Sequence, residues 1–413
     1  MRFSCRPILL ILFLVVSTTA CADVVTDWNS ISLELIKATD MRPPIASRAL
    51  AMVHTAIYDS VNAISPTYEV YYVQVEPPNN TSPKAAAASA AHRVLSNLFP
   101  DQKAFLDKEL VKSLSYLRGQ QAINNGVLLG RYVADTIIQL RENDGSDLVV
   151  PYTPGDEPGE WRPTPPNYSS AVLPNWPYVT PFAIPCAEQF QPGPPPCLTS
   201  REYAANVNEV ILLGGTRSFV RTKDQTEIAY FWADDFQSVT PPGRWNIIAQ
   251  IAGNRKGNSL IQNARLFALM NVAMADSAIV AWSCKYNYNL WRPITAIQEA
   301  STDGNKWTAE FPNWTSLLPT PAFSEYISGH STFGASAAVI LINFFGTDNF
   351  TFLLESDVPQ ARARLFKSFS SAALENGRSR IYGGIHFEFG NNLGLQAGQT
   401  VGGYVYGNIM QPI

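Results

Sequence analysis

Histidine is scarce in this sequence: 413 residues hold only 4. Charge is thin as well, with Asp, Glu, Lys and Arg at 15% and a net of -4. That balance excludes the basic face a nucleic-acid partner requires. No charge run or heptad seam points to a charged tail or a coiled coil. Cysteine is sparse too, at 5 residues, and no cluster of Cys, His and carboxylates has the spacing of a zinc or iron site. Beyond the N-terminus no segment reads as a membrane span, which needs about 20 apolar residues. What is present is a chain 46% hydrophobic, apolar for a soluble protein but without a membrane composition.

The N-terminus is more specific. Arg2 and Arg6 precede an apolar run from Ile8 to Val16, followed by Ala20-Cys21-Ala22. A charged start, a short apolar centre and a small-x-small site are the parts of an export signal, here cleaved after Ala22. The mature protein is therefore expected to be secreted or periplasmic. Cleavage leaves Cys186, Cys197 and Cys284, and the first two flank the loop "PCAEQFQPGPPPC". An exported location makes a disulfide between Cys186 and Cys197 the expectation. Asn79, Asn80, Asn167, Asn313 and Asn349 open glycosylation sequons, which matter only in a host that glycosylates.

The remainder reads as all-α: helical bundles joined by long Pro-rich connections. "SRALAMVHTAIYDSVNAI" has helical apolar spacing. Ser82 is placed to cap the next helix, with Pro83 at its first position and an alanine-rich body behind it. Two further helical patterns end at Asp144-Gly145. Prolines then dominate from Val150 to Leu198, a loop that serves either as a rim over a site or as a connection between helical layers. Helical patterns resume after it, with few alternating strand signals. The expected division is residues 1–22 as signal, 23–200 as an N-terminal helical region with its Pro-rich connection, and 201–413 as a helical-bundle catalytic region, the last two forming one integrated fold.

Three stretches carry chemistry. In "DSAIVAWSCKYNYNLWRP" the helix runs through Asp276 to Lys285 and Arg292, seven residues apart, which puts both cations on one helical face. Pro293 pushes Arg292 out of the helical region near the helix end. Their neighbours Trp282, Tyr286, Tyr288 and Trp291 suggest a partly buried anion site rather than a solvated basic edge. In "SGHSTFG", Ser328 is a candidate N-cap with Gly329 and His330 in the first turn, where free N–H groups and the positive helix end attract anions. In "SRIYGGIHFEFGNN", Gly383-Gly384 breaks the helix and folds the chain back, so that Arg380 and His386 can converge. Each stretch alone also fits a cap or a packing residue. Together they supply two Arg, one Lys, a Ser, a Gly N–H and two of the 4 histidines, which is what a tetrahedral oxyanion requires.

In order and spacing these stretches resemble the signature shared by vanadium-dependent haloperoxidases and the type-2 phosphatidic acid phosphatases. The matching residues are Lys285-x6-Arg292-Pro293, Ser328-Gly329-His330 and Ser379-Arg380-x5-His386. "RALAMVHTAIYDSVNAI", "QFQPGPPPCLTSREYAANVNEV" and "KDQTEIAYFW" also resemble secreted members on the haloperoxidase side. The resemblance implies vanadate as cofactor, with Lys285, Arg292, Arg380, Ser328 and the Gly329 N–H around its oxygens. It implies His386 as the metal ligand, His330 as acid–base group, and Lys285 counted with the two histidines among the catalytic residues. Trp282 and Phe323 stand where the family places halide-pocket residues, and Asp224 where an arginine is oriented. Two departures stand out: Ile327 replaces the usual proline before Ser328, and Gly390 falls where relatives often carry an acid. The implied reaction oxidises a halide with hydrogen peroxide to a hypohalous-acid equivalent, without redox change at the metal.

The same residues also suit a phosphatase acting on a small phosphate ester, with His386 as nucleophile and His330 as proton donor to the leaving oxygen. A non-enzymatic helical scaffold with a relic anion site is a third reading, disfavoured because every expected ligand is in place. The long N-terminal half and the "NLWRP" context favour the haloperoxidase.

Overall fold

The computed structural model describes residues 23–234, 237–358 and 361–413; the expected signal at 1–22 lies outside them. Among the described residues the helices are α1 (Val24–Ala38), α2 (Pro43–Asn62), α3 (Pro83–Leu98), α4 (Lys103–Ser115), α5 (Gln120–Leu140), α6 (Arg201–Leu213), α7 (Lys223–Phe231), α8 (Thr240–Lys256), α9 (Leu260–Tyr288), α10 (Pro293–Gln298), α11 (Gly329–Phe345), α12 (Phe369–Tyr382) and α13 (Glu388–Asn408). The all-α expectation holds. One antiparallel hairpin interrupts it, β1 (Asn349–Leu354) with β2 (Arg364–Ser368). Phe350, Phe352 and Leu354 alternate inward from β1, a strand pattern too short to stand out in a sequence otherwise spaced for helices.

Helix α9 is the axis of the molecule. It packs against α2 on one side and α11 and α13 on the other, while α2 also meets α3 and α5. It is long and apolar enough by composition to cross a membrane, yet its apolar window is entirely buried inside the protein. A single large core runs from Val24 to Met410 and draws on both halves of the chain. The small residues of α11, from Ala335 to Ala338, are buried against its neighbours.

Capping logic accounts for several boundaries. The Ser82 hydroxyl accepts from the Ala85 N–H, with Pro83 in the first turn of α3. Ser259 and Gln262 form a reciprocal cap at the start of α9. At the other end, α9 stops at Tyr288 because Asn289 turns left-handed at φ 47. Lys285 and Arg292 therefore do not share one helix, contrary to the expectation. Arg292 instead occupies the extended position that precedes α10, as Pro293 requires.

The Pro-rich segment is tied down at specific points. The Asp276 carboxylate on α9 accepts from the N–H groups of Phe182, Ala183 and Ile184 at 2.6, 2.8 and 2.9 Å. The carbonyl of Val172 accepts from Trp282 Nε1 and the Tyr286 hydroxyl. The expected bridge is not formed: Cys186 and Cys197 are exposed free thiols, and Cys284 is buried. The loop between the first two is held by non-covalent contacts instead, including Gln191 to Ser283 and the Tyr288 hydroxyl to the carbonyl of Pro192. All five sequon asparagines are exposed.

Candidate active site

The ends of five helices meet around one buried cluster. Arg292 precedes α10, Lys285 lies in the last turn of α9, Ser328 caps α11, and Arg380 and His386 flank the break between α12 and α13. That break is made as the sequence predicts. Gly384 adopts φ +77, and a Cβ there would stand 2.2 Å from the carbonyl oxygen of Gly214. Only glycine suits both the conformation and the space.

Arg292 is fully buried. Its Nε donates to the carbonyl of Phe323 at 2.6 Å and its Nη1 to that of Ile385 at 2.7 Å. Nη1 also lies 3.1 Å from His386 Nε2, while Nη2 is buried with no partner. Lys285 is also fully buried, and Nζ donates to the carbonyls of Ser324, Glu325 and Ile327 at 3.0, 3.1 and 2.6 Å. All three of its hydrogens are thus engaged by the backbone leading into Ser328. In this structure Lys285 braces that turn and contributes its charge from behind. Arg380 donates from Nη1 to the carbonyl of Trp232 at 2.9 Å. Ser328 caps its helix by accepting from the Ser331 N–H, and also accepts from the Ser331 hydroxyl at 2.8 Å.

His386 is held from its other nitrogen. Nδ1 lies 2.8 Å from Glu325 Oε1, which also accepts the Phe387 N–H at 2.9 Å. A carboxylate at Nδ1 places the ring proton there and leaves the Nε2 lone pair facing Arg292. Glu325 was not singled out in the sequence. It resolves the departure at Gly390, because the acid that supports the histidine comes from a different segment. A Cβ on Gly390 would stand 2.4 Å from Glu325 Oε1, so the missing side chain is what makes room for that carboxylate.

Electrostatics follow from burying three cations with one acid. Burial, then Lys285's neighbour Arg292, holds the Lys285 ammonium well below the ordinary lysine range, with Glu325 opposing. Burial pushes Arg292 down to about 9. Glu325 is pushed up to about 7 by burial, opposed by the Phe387 N–H and then by Lys285 and Arg292. Both histidines are held well below the ordinary imidazole range, chiefly by burial. For His386 the cations Arg292, Lys285 and Arg380 add to it; for His330 the leading charge is Arg380. Such a cluster is under-neutralised, and an oxyanion would relieve it.

A cavity of about 550 Å³ opens onto this cluster. His330, Arg380, Trp282 and Phe323 line it, and residues of the Pro-rich segment from Thr164 to Val172 form part of its wall. The segment is thus a rim. Trp282 and Phe323 lie with ring centroids 5.1 Å apart, and Lys285 Nζ and Arg292 Cζ sit 4.9 and 4.7 Å from the Phe323 ring centre. A Cβ on Gly329 would meet Trp282 at 3.5 Å, an ordinary contact. Asp224 does hold an arginine, but that arginine is Arg364, at 2.9 Å. Arg364 in turn pairs with Glu375, which accepts from Trp232 Nε1. Every other residue the sequence proposed converges on the cluster or its cavity.

Comparison with known proteins agrees with this arrangement. The family model for the VCPO second helical-bundle domain matches residues 265–413. Vanadium chloroperoxidase of Curvularia inaequalis is 27% identical, over 88% of this chain and 78% of that one. A bacterial vanadium-dependent iodoperoxidase superposes with a TM-score of 0.84 at 29% identity, covering 94% of this chain and 96% of its own. Along most of its length the chain is thus similar to vanadium-dependent haloperoxidases. An apo-type bacterial vanadium-dependent chloroperoxidase, at 18% identity and a TM-score of 0.73 over 89% and 93% of the two chains, shares the fold of the family.

The donor set suits the group that family name implies. Vanadate is an oxyanion, which buried cations and N–H donors would hold and a ring nitrogen would ligate. Here Arg292 Nη2 is unpartnered, His386 Nε2 carries a lone pair that Arg292 Nη1 approaches at 3.1 Å, and Ser328 caps the first turn of α11.

Proposed function

We propose that the protein is a vanadate-dependent haloperoxidase, oxidising a halide with hydrogen peroxide to a hypohalous-acid equivalent. The observation that carries this reading is Arg292. It is fully buried, leaves Nη2 without a partner, and faces a histidine whose Nε2 is kept unprotonated by Glu325. A cation buried with an open donor beside a prepared ring nitrogen is a receptor for a metal oxyanion.

In that reading His386 holds the metal through Nε2, and Arg292, Arg380, Ser328 and the Gly329 N–H hold the oxygens. Lys285 adds charge from behind the turn. Vanadate supplies Lewis-acid activation of peroxide, with no change in metal oxidation state. The protein's share is electrostatic preorganisation. His330, on the cavity wall with Nε2 unpartnered, is neutral at neutral pH because its pKa is held down. It is therefore set to accept a proton from incoming peroxide at Nε2. Trp282 and Phe323 give the halide a dry, aromatic approach beside two cations.

The deciding experiment is paired. Vanadate-loaded protein is assayed for bromide or iodide oxidation by peroxide, and metal-free protein for release of phosphate from a monoester. Halide turnover that requires both vanadate and peroxide, and is abolished in a folded His386→Ala variant, is the expected result. Phosphate release inhibited by vanadate, without halide turnover, would overturn the reading in favour of a phosphatase. The pattern from Arg2 to Ala22 supports export of the mature chain; a mature N-terminus at Asp23 is expected, and retention of residues 1–22 would contradict it.

A further inference from the structure

The cavity above His330 is larger than its small reactants need. At about 550 Å³ it falls within the range of about 300–1,000 Å³ typical of pockets that enclose organic ligands. Its lining is of two kinds. Pro165, Pro166 and Pro321, with Trp282 and Phe323, provide flat apolar surface. Asp234 and Thr240 provide polar atoms that the halide chemistry does not use.

Thr240 opens α8, and Asp234 is tied to the same helix through Arg244. Asp234 Oδ1 accepts from Arg244 Nε and Nη2 at 3.1 and 2.6 Å, and Arg244 lies one turn beyond Thr240 on α8. Asp234 Oδ2 and Thr240 Oγ1 are both buried with no partner. Buried oxygens without donors are uncommon enough to need a cause. Both residues are also held at positive φ, 43 and 64, a cost tolerated mainly where function requires it.

We propose that this cavity seats the organic acceptor of the oxidised halogen, and that the acceptor is a neutral hydroxylated aromatic whose hydroxyl binds Asp234 Oδ2 and Thr240 Oγ1. The proposal rests on the haloperoxidase reading. Charge selects a neutral ligand. Arg244 already balances Asp234, and the cations Arg380 and Lys285 near His330 repel a positive one. The open oxygens select a hydrogen-bond donor, and the proline and aromatic walls select a flat ring. Chemistry selects an electron-rich ring, because the halogen arrives as an electrophile. A ring carbon donates its π pair to the halogen of the hypohalous acid, the halogen–oxygen bond breaks, and the departing hydroxide leaves as water with the ring proton. The carbon is oxidised and the halogen reduced, with the hypohalous acid as oxidant. Halogenation is then enzyme-bound rather than a reaction of released hypohalous acid.

The test uses 1-naphthol and the full chain. Binding is measured by equilibrium dialysis without peroxide or halide, and the ratio of 2- to 4-bromonaphthol is measured during turnover and with free hypobromous acid. Wild type should bind saturably and give a ratio unlike that of the free acid. Thr240→Val should weaken binding about tenfold, the value of one hydrogen bond. It should also move the ratio toward the free-acid value and leave bromide oxidation without naphthol unchanged. Asp234→Asn should weaken binding similarly; if loss of its Arg244 pairing unfolds it, Thr240→Val decides alone. A wild type that oxidises bromide but binds no naphthol, binds it as tightly after Thr240→Val, or gives the free-acid ratio overturns this proposal alone. A wild type that oxidises no bromide overturns both readings.

Discussion

His386 Nδ1 lies 2.8 Å from Glu325 Oε1, and the backbone N–H of the next residue, Phe387, donates to the same oxygen at 2.9 Å. The acid is thereby fixed by the strand of chain it orients. This relationship decides which ring nitrogen is free, and so whether the histidine can be a ligand at all. Glu325→Gln should lower vanadate affinity about 10–100-fold, the usual range for losing such a supporting group. The direction is informative, because removing a negative charge beside Lys285 and Arg292 would by electrostatics alone tighten an anion. Dialysis against vanadate measures it; affinity equal to or better than wild type would mean that the carboxylate does not orient the ring.

Gly390 bears on the same contact from the other side. A Cβ there would stand 2.4 Å from Glu325 Oε1 and 2.8 Å from Oε2. Gly390→Ala should displace the carboxylate and lower vanadate affinity as Glu325→Gln does. Adding Glu325→Asp, one methylene shorter, should recover part of it. A double-mutant cycle reads the coupling directly, and strict additivity would show that the alanine acts elsewhere.

Much of this site was legible because its signals are local. Ser328 caps a helix, Gly383-Gly384 ends one, and Pro293 forces Arg292 out of helical geometry; each follows from two or three neighbouring residues. What was illegible depends on distance in the chain. Glu325 carries no local signal for a role at His386, 61 residues away, and Gly390 made sense only once that carboxylate was in place. The end of α9 was misjudged because one left-handed asparagine at position 289 outweighs an apolar pattern that continues to Trp291. The strand pairing Phe352 with Phe366 is likewise non-local. The Pro-rich segment left two readings open; the lining of the cavity by Thr164 to Val172 makes it a rim, and three N–H bonds to Asp276 anchor it.

Asp276 provides a stability test of that anchoring. Burial pushes its pKa up to about 6, opposed by the three N–H groups it accepts from. Asp276→Asn keeps the shape but turns an amide NH₂ toward N–H donors, leaving buried groups unsatisfied. The expected cost is about 3 kcal/mol, read by urea denaturation. Hydrogen exchange at residues 182–184 should accelerate more than in the α9 core. Uniform acceleration would mean that the carboxylate stabilises the whole bundle rather than the rim.

His54 sets a pH dependence whose sign can be worked out. Its Nε2 lies 2.9 Å from Asn29 Oδ1 and its ring stacks on Phe267 at 5.0 Å. Burial pushes its pKa from 6.5 down to about 3. Between those values the unfolded chain binds a proton that the folded chain refuses. Its contribution is therefore fully present above pH 6.5 and declines as the pH falls, by about 1.4 kcal/mol per unit. Asp59 and Asp276, raised by burial from 3.8 to about 6, act with the opposite sign, since the folded chain holds their protons longer. The net profile of the wild type mixes both effects, but comparison with His54→Gln isolates one. Relative to wild type, the variant should gain about 3 kcal/mol between pH 7.5 and pH 4, measured by denaturant unfolding at each pH. A stability difference that stays constant over that range would show that His54 titrates alike in the folded and unfolded chains.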